Sequence, residues 1–248
     1  HHWPGANTSV KLGKIGEIKF PFFSMGNINS GDLFGLDELI LFSFYFVNRF
    51  EYQKVLDLGA NIGLHTLVLI KLGFEVTSYE PDPRHVAQII KNLGENNFSF
   101  KDLIEAAVDT VNGERDFVRV HGNTTGSHLA GAKSQIPYGG HEIFSVTVKD
   151  FNEIMESGFD LVKMDVEGYE AILISHLAEN FFQSTDIILE VGSKENAQLI
   201  YKRTKDLNLY LYSQKRNWEL VKDFSDVPSS YREGSLFIRS EEHTSELQ

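Results

Sequence analysis

The chain has 248 residues, 42% of them hydrophobic, enough to bury one sizeable core, and α/β domains of this length are commonly single. Asp and Glu total 35 against 23 Lys and Arg, so the formal charge is -12 and the average surface repels polyphosphate, which argues against a nucleic-acid partner. The absence of cysteine excludes a disulfide framework and thiolate metal sites, and with no apolar run near the ~18 residues of a membrane span and no signal-peptide pattern, a cytoplasmic protein without a membrane span is expected.

The chain opens at His1-His2-Trp3 without methionine, as a fragment would, and His1 and His2 are set aside as metal ligands. "GKIGEIKFPFF" (Gly13 to Phe23) predicts a hairpin, and Leu33 to Phe50 an aromatic-rich helix. Residues 1–50 are read as an N-terminal extension packed on the core. Its Phe34, Leu36, Phe42, Phe44, Tyr45 and Phe46 either line a substrate pocket or, the blander and preferred reading, form packing surface.

From Lys54 onward, β-rich runs alternate with helical patterns, the signature of βαβ units and a mostly parallel sheet. "KVLDLG" (Lys54 to Gly59) is the first strand, and Ile62 to Leu72 a helix stopped by Gly73. "EVTSYE" (Glu75 to Glu80) is the next strand, followed by a helix in "PDPRHVAQIIKNLGENN" whose face carries Val86, Ile89, Ile90 and Leu93. "DLIEAAV" (Asp102 to Val108) is a third strand. "DFVRV" (Asp116 to Val120) and "EIFSVTV" (Glu142 to Val148) are strands flanking a polar, glycine-rich segment, His121 to His141, long enough to be a lid or binding loop. "FDLVKMD" (Phe159 to Asp165) is a buried strand, with a helix from roughly Tyr169 to Asn180. "DIILEV" (Asp186 to Val191), a helix from Lys194 to Thr204, "LYLYS" and "SLFIR" complete the alternation. Residues 51–238 thus form the main domain. The tail 239–248, "RSEEHTSELQ", resembles one reading frame of a sequencing adapter and is set apart as non-native.

In an open parallel sheet, ligands bind beyond the carboxyl ends of the strands. Gly59 follows the first strand directly, where a missing Cβ permits a tight turn and close approach of backbone to a ligand, while Gly63 lets the next helix pack near the sheet. The turn is G-A-N-I-G, Gly59 to Gly63. A dinucleotide fingerprint needs G-x-G-x-x-G, but Asn61 and Leu64 stand at its second and third glycines, so the pyrophosphate reading fails. Glu80, at the end of the next strand, is placed to accept hydrogen bonds from both hydroxyls of a ribose. Together D-x-G-A-N-x-G and this acid resemble the S-adenosylmethionine site of class I methyltransferases. The resemblance implies a cofactor set of Asp57, Gly59, Ala60, Asn61, Gly63, Glu80, Pro81 and Ala106, with Asp57 orienting backbone amides or the cofactor's ammonium and Ala106 small enough for adenine to lie against the backbone.

At "DLVKMDVEGYEAIL" (Asp160 to Leu173) a second motif follows the fourth strand. With "VLDLGANIG", "YEPDPR", "EAAVD" and "FSVTVKDF", in that order over Val55 to Val191, it resembles the FkbM family of S-adenosylmethionine-dependent methyltransferases. That resemblance implies a doubly wound, mostly parallel, seven-stranded Rossmann-like sheet with an antiparallel last strand. It also implies O-methylation of a small-molecule or glycan hydroxyl on a sugar or secondary metabolite. His65 departs from the aromatic or aliphatic residue that often follows the turn, and the first fifty residues match nothing diagnostic. The rival readings are a nucleotide-binding oxidoreductase, a non-catalytic nucleoside-binding module, and a methyltransferase acting on nitrogen of RNA or protein, against which the acidic charge and the lack of an Asn-Pro-Pro-aromatic sequence after the fourth strand weigh.

An alcohol must lose its proton as it attacks a methyl donor, which calls for a base or a metal. Asp165 ends the fourth strand, with Lys163 on the same strand face and Glu167 just before a helix start. Three arrangements remain open. Asp165 serves as base or hydroxyl anchor, tuned by Lys163; or Asp165 and Glu190 share a divalent metal; or Glu167 merely caps the helix while Lys163 merely pairs charge. His121, His128 and His141 in the polar segment are further candidate bases, and Asn123, Thr124 and Thr125 candidate partners for substrate hydroxyls.

Overall fold

The computed structural model describes residues 9–100, 102–133 and 139–240. A short hairpin comes first: β1 (Ser9–Lys11) pairs antiparallel with β2 (Glu17–Lys19), Val10 opposite Ile18. The first helix, α1 (Leu36–Val47), carries Asp37 and Glu38 in its opening turn, where the helix dipole favours acids. It buries Leu41, Phe42 and Tyr45 on its inner face.

The alternation then proceeds through β3 (Lys54–Leu58), α2 (Leu64–Leu72), β4 (Glu75–Tyr79), α3 (Pro83–Glu95) and β5 (Leu103–Ile104). Gly73 closes α2 in the left-handed conformation, and Asp82 caps α3, its side chain accepting from Arg84 N ahead of a proline in the first turn. After the middle of the chain come β10 (Leu161–Met164), α5 (Glu170–His176), β11 (Asp186–Glu190), α6 (Lys194–Asp206), β12 (Tyr210–Ser213), β13 (Glu219–Leu220) and β14 (Ser235–Arg239). The main sheet has the order β13-β12-β14-β11-β10-β3-β4-β5. β3 pairs in parallel with β4 and β10, and β10 with β11, whereas β14 runs antiparallel between β11 and β12. The fold is thus α/β with a mostly parallel sheet and an antiparallel last strand. Among the described residues its strands number eight where seven were expected, the two-residue β13 adding an edge.

The middle of the chain leaves that sheet. β6 (Ala107–Asp109), β7 (Gly113–Val120), β8 (His128–Leu129) and β9 (His141–Asp150) form a second, four-stranded sheet ordered β6-β9-β7-β8, closed by α4 (Phe151–Met155). Asp102 to Val108 is therefore not one strand. Ala106 N donates back to Ile104 O at 3.0 Å, a turn that ends pairing with β4 and lets Ala107 pair with Val148 instead. The helix expected to run to Asn180 stops at His176, where Asn152 closes the end: its amide donates to His176 O and its carbonyl oxygen accepts from Ala178 N.

Strand alternation puts Leu56, Leu58, Val162, Met164, Ile187 and Leu189 on the face covered by the second sheet, α5 and α6. Val55, Leu161, Ile188 and Phe237 face α1, α2, α3 and the hairpin. Phe42, Tyr45 and Phe44 belong to this second core, Phe44 lying 5.2 Å from the Phe237 ring, while Leu36 is exposed. Phe34, Phe42, Phe44 and Tyr45 are thus packing surface. β14 includes Arg239, whose guanidinium lies 3.3 Å from Asp186, so the fold runs one residue into the adapter-like tail; 241–248, like His1 and His2, lie outside the described residues. Among the described residues, no helix is long and apolar enough to cross a membrane.

Candidate functional site

The carboxyl ends of β3, β4 and β10 converge on one region. Gly59 turns with φ +71°, and a Cβ there would stand 1.8 Å from the Asp165 carbonyl oxygen. Glycine is required at 59 because the loop after β10 crosses it, a closer constraint than any ligand. Gly63 (φ +82°) is held by the next helix over, since a Cβ would meet Ile89 of α3 at 3.1 Å. Between them Asn61 takes φ +53°, the left-handed region that asparagine tolerates best after glycine.

This turn presents its backbone to Glu80. The Glu80 carboxylate accepts from Asn61 N (2.8 Å) through Oε2 and from Asp82 N (2.9 Å) through Oε1, with His85 Nδ1 3.6 Å away. Each oxygen retains accepting capacity, and Glu80 reaches the cavity that lies over the turn. Gly59, Asn61, Pro81 and Ala106 line the same cavity. So do Phe117 and Leu129 from the second sheet, which sequence reading missed because only the tertiary fold brings that sheet over the β4 end. Asn61 Oδ1 is buried there without a hydrogen-bond partner among the described residues. Among the described residues, no Lys or Arg lines it. A carboxylate for a diol, an unsatisfied amide oxygen, apolar walls and no fixed cation suit a phosphate-free nucleoside carrying positive charge, and do not suit a pyrophosphate.

Ala60, Gly63 and Asp57 do not line this cavity. Fully buried, Asp57 accepts from Thr66 Oγ1 at 2.7 Å and pairs with Lys163 Nζ at 3.3 Å. It ties α2 to β10 from behind the turn. Lys163 also donates to Gly59 O at 3.1 Å. Burial lowers its pKa, but Asp57, Asp165 and Glu38 more than offset that and hold it above the ordinary lysine range, so it stays charged.

Asp165 lines the first cavity and also a second, of about 350 Å³, whose wall includes Glu38, His65, Lys163 and Glu190. Burial pushes the Asp165 carboxyl up, with Lys163 opposing. Glu190 is pushed up to about 10, by burial first and then by the charges of Asp165, Glu167 and Glu170. Asp165 and Glu190 thus share a cavity, yet among the described residues no group of three or more His, Asp or Glu is placed to hold a metal ion.

The D-V-E-G turn after β10 is held by Glu170, whose carboxylate accepts from Val166 N (3.0 Å) and Gly168 N (3.1 Å). Glu170 stands within the quoted motif, but an acid just inside a helix reads as an ordinary dipole partner, so its hold on the preceding turn was not apparent. Burial, then the Asp165 charge, push it to about 7. Glu167, with φ +53°, does not cap α5; its carboxylate takes a hydrogen bond from Lys133, and burial and the Asp165 charge push it to about 7. Of the three histidines, only His128 lines the first cavity, where burial lowers its pKa and Nδ1 lies 2.9 Å from Gly126 O. His121 is half-exposed beside Glu142, and His141 is exposed at the start of β9. Thr124 and Thr125 line the first cavity; Asn123 instead caps the turn they open, accepting from Thr125 N at 3.1 Å.

Residues 57–220 match the methyltransferase FkbM domain family. Solved structures similar to this chain include precorrin-6y C5,15-methyltransferase from Geobacter metallireducens, at 10% identity over 82% of this chain and 88% of that one, TM-score 0.43. A SAM-dependent methyltransferase from Agrobacterium tumefaciens is 10% identical over 97% and 72%, TM-score 0.48. The 16S rRNA N2 G1207 methyltransferase from T. thermophilus, in complex with AdoMet and guanosine, is 15% identical over 95% and 50%, TM-score 0.49. No curated protein matches the chain.

Proposed function

The chain belongs to the methyltransferase FkbM domain family and uses S-adenosylmethionine, and on that premise we propose that it methylates a hydroxyl group of a sugar, glycan or secondary metabolite. Family membership sets aside the oxidoreductase reading of the glycine turn. Glu80, Asn61, Gly59, Pro81 and Ala106 would hold the cofactor, Glu80 by the ribose diol. Bound there, the cofactor supplies an electrophilic methyl group on a positively charged sulfur.

The observation that carries the reading is that Asp165 is common to both cavities. A group at that junction lies between donor and acceptor, where alignment in a dry site accounts for much of the rate. Asp165 takes the proton that the acceptor hydroxyl loses as it attacks. A carboxylate whose affinity for protons is raised by burial is the better base for that task at neutral pH. Lys163 keeps the junction in place through Gly59 O and supplies the compensating charge. The carboxylates of Asp32, Asp37 and Glu38 line the second cavity, which repels phosphodiesters and suits an uncharged hydroxyl compound.

The test is transfer of labelled methyl from S-adenosylmethionine to a panel of methyl glycosides and polyols, with and without chelator. Label on carbon-bound oxygen is the expected product. Label found only on nitrogen acceptors, RNA included, would contradict the hydroxyl reading, and loss of transfer with chelator would bring a metal back into the mechanism.

A further inference from the structure

The wall of the second cavity opposite Asp165 comes from a part of the chain outside the family match. Ile28, Leu33, Gly35, Glu38 and Leu41 all lie before residue 57. Of the acids there, Asp32 already caps its own turn, accepting from Asn29 N at 2.8 Å. Glu38 is held differently. Its Oε2 lies 2.6 Å from His65 Nε2, and its other oxygen takes no hydrogen bond from a described residue. The His65 ring stands edge-on between Phe42 (5.2 Å) and Tyr45 (5.8 Å), and its Nδ1 lies 2.9 Å from the Tyr45 hydroxyl.

We propose that Glu38 binds a hydroxyl of the acceptor, and that His65 and Tyr45 are positioning residues that fix its carboxylate, so that the N-terminal segment selects the molecule to be methylated. This rests on the acceptor being a hydroxyl compound, as proposed for the reaction itself. Tyr45 is fully buried and finds no acceptor among the described residues other than His65, so its O–H donates to Nδ1. That leaves Nε2 as the protonated nitrogen, donating to Glu38. With both ring nitrogens engaged, His65 has no valence left for a ligand. What it does is remove the rotational freedom of a carboxylate on the cavity wall, so that an acceptor does not have to order it on binding. Although burial pushes the Glu38 carboxyl up, His65 and Lys163 hold it below its usual range, so it stays an acceptor of hydrogen bonds. α2 starts directly after the Gly63 turn, so His65 links the acceptor wall to the loop over the cofactor.

The experiment is steady-state kinetics of the full chain with labelled S-adenosylmethionine and methyl α-glucopyranoside, methyl α-rhamnopyranoside and myo-inositol as acceptors. Donor affinity is measured by calorimetry and folding by thermal melts. Glu38→Gln is expected to raise the KM of an accepted compound about 10- to 100-fold, the loss of a charged hydrogen bond, and to leave the donor Kd within about twofold. His65→Ala should do the same, and His65→Gln, whose amide N–H still reaches Glu38, should recover most of the loss. The double variant Glu38→Gln/His65→Ala should be no worse than Glu38→Gln alone, because the two act as one unit. An unchanged KM in Glu38→Gln, or losses that multiply in the double variant, overturns the proposal and leaves the pair as a brace between α1 and α2. Should His65→Ala not fold, Glu38→Gln carries the decision. A wild-type chain that binds the donor but methylates none of the panel overturns the hydroxyl reading, and the role of Glu38 with it.

Discussion

The two cavities that meet at Asp165 are built by opposite rules. On the β3 side, both oxygens of Glu80 accept backbone N–H groups, and the glycine at 59 is required by backbone contact. That side is architecture, rigid before any ligand arrives. On the other side, Glu190 shares the cavity with Asp165, and burial, then the charges of Asp165, Glu167 and Glu170, push its proton affinity to about 10. That side is tuned by charge. The difference teaches where each substitution will be felt: shape on one side, protonation on the other.

Removing the shared group should separate the two most sharply. Asp165→Asn is expected to lower kcat by about 100- to 10,000-fold, the usual contribution of a general base, with donor affinity kept. Rapid-quench assay and calorimetry check the two halves, and a variant as fast as the parent would remove Asp165 from the reaction. On the architectural side, Gly59→Ala should destabilise the fold by about 3 kcal/mol, since the added carbon meets backbone and the residue keeps a positive φ. Chemical denaturation measures it, and an unchanged midpoint would mean that the loop after β10 yields easily. Glu80→Ala should weaken donor binding about 100-fold, measured by calorimetry, and also lower the melting temperature, since Asn61 N and Asp82 N lose their acceptor.

The smallest effect lies in pH. Folded Glu190 keeps its proton up to about 10, whereas its ordinary value is 4.5, so the native state holds a proton that the unfolded chain releases. Stability from this group is complete below 4.5 and is lost as pH rises toward 10. Glu190→Gln should therefore melt higher than the parent at pH 8 and no higher at pH 4, a gap that thermal melts across that range would detect. A parallel offset at both values would show that the carboxyl is not charge-tuned.

What was legible in the amino-acid order was local. The turn Gly59 to Gly63 and the acid Glu80 sit at consecutive strand ends, so one βαβ unit brings them together. Parity also held a message about Asp57: alternating with Leu56 and Leu58, it must face away from them, under α2, where Thr66 meets it. The second sheet was not legible, because Ala107 finds its partner at Val148 and nothing local marks the departure at Ala106. Nor was the wall proposed to bind the acceptor. Glu38 and Tyr45 read as a helix acid and a core aromatic until α1 packs on α2 and both meet His65.

The most direct measurement is a crystal of the chain soaked with S-adenosylhomocysteine. Density is predicted in the first cavity, with the ribose hydroxyls on the Glu80 carboxylate and the sulfur directed to Asp165. A nucleoside lying in the Glu190 cavity, or a ribose turned away from Glu80, would contradict it.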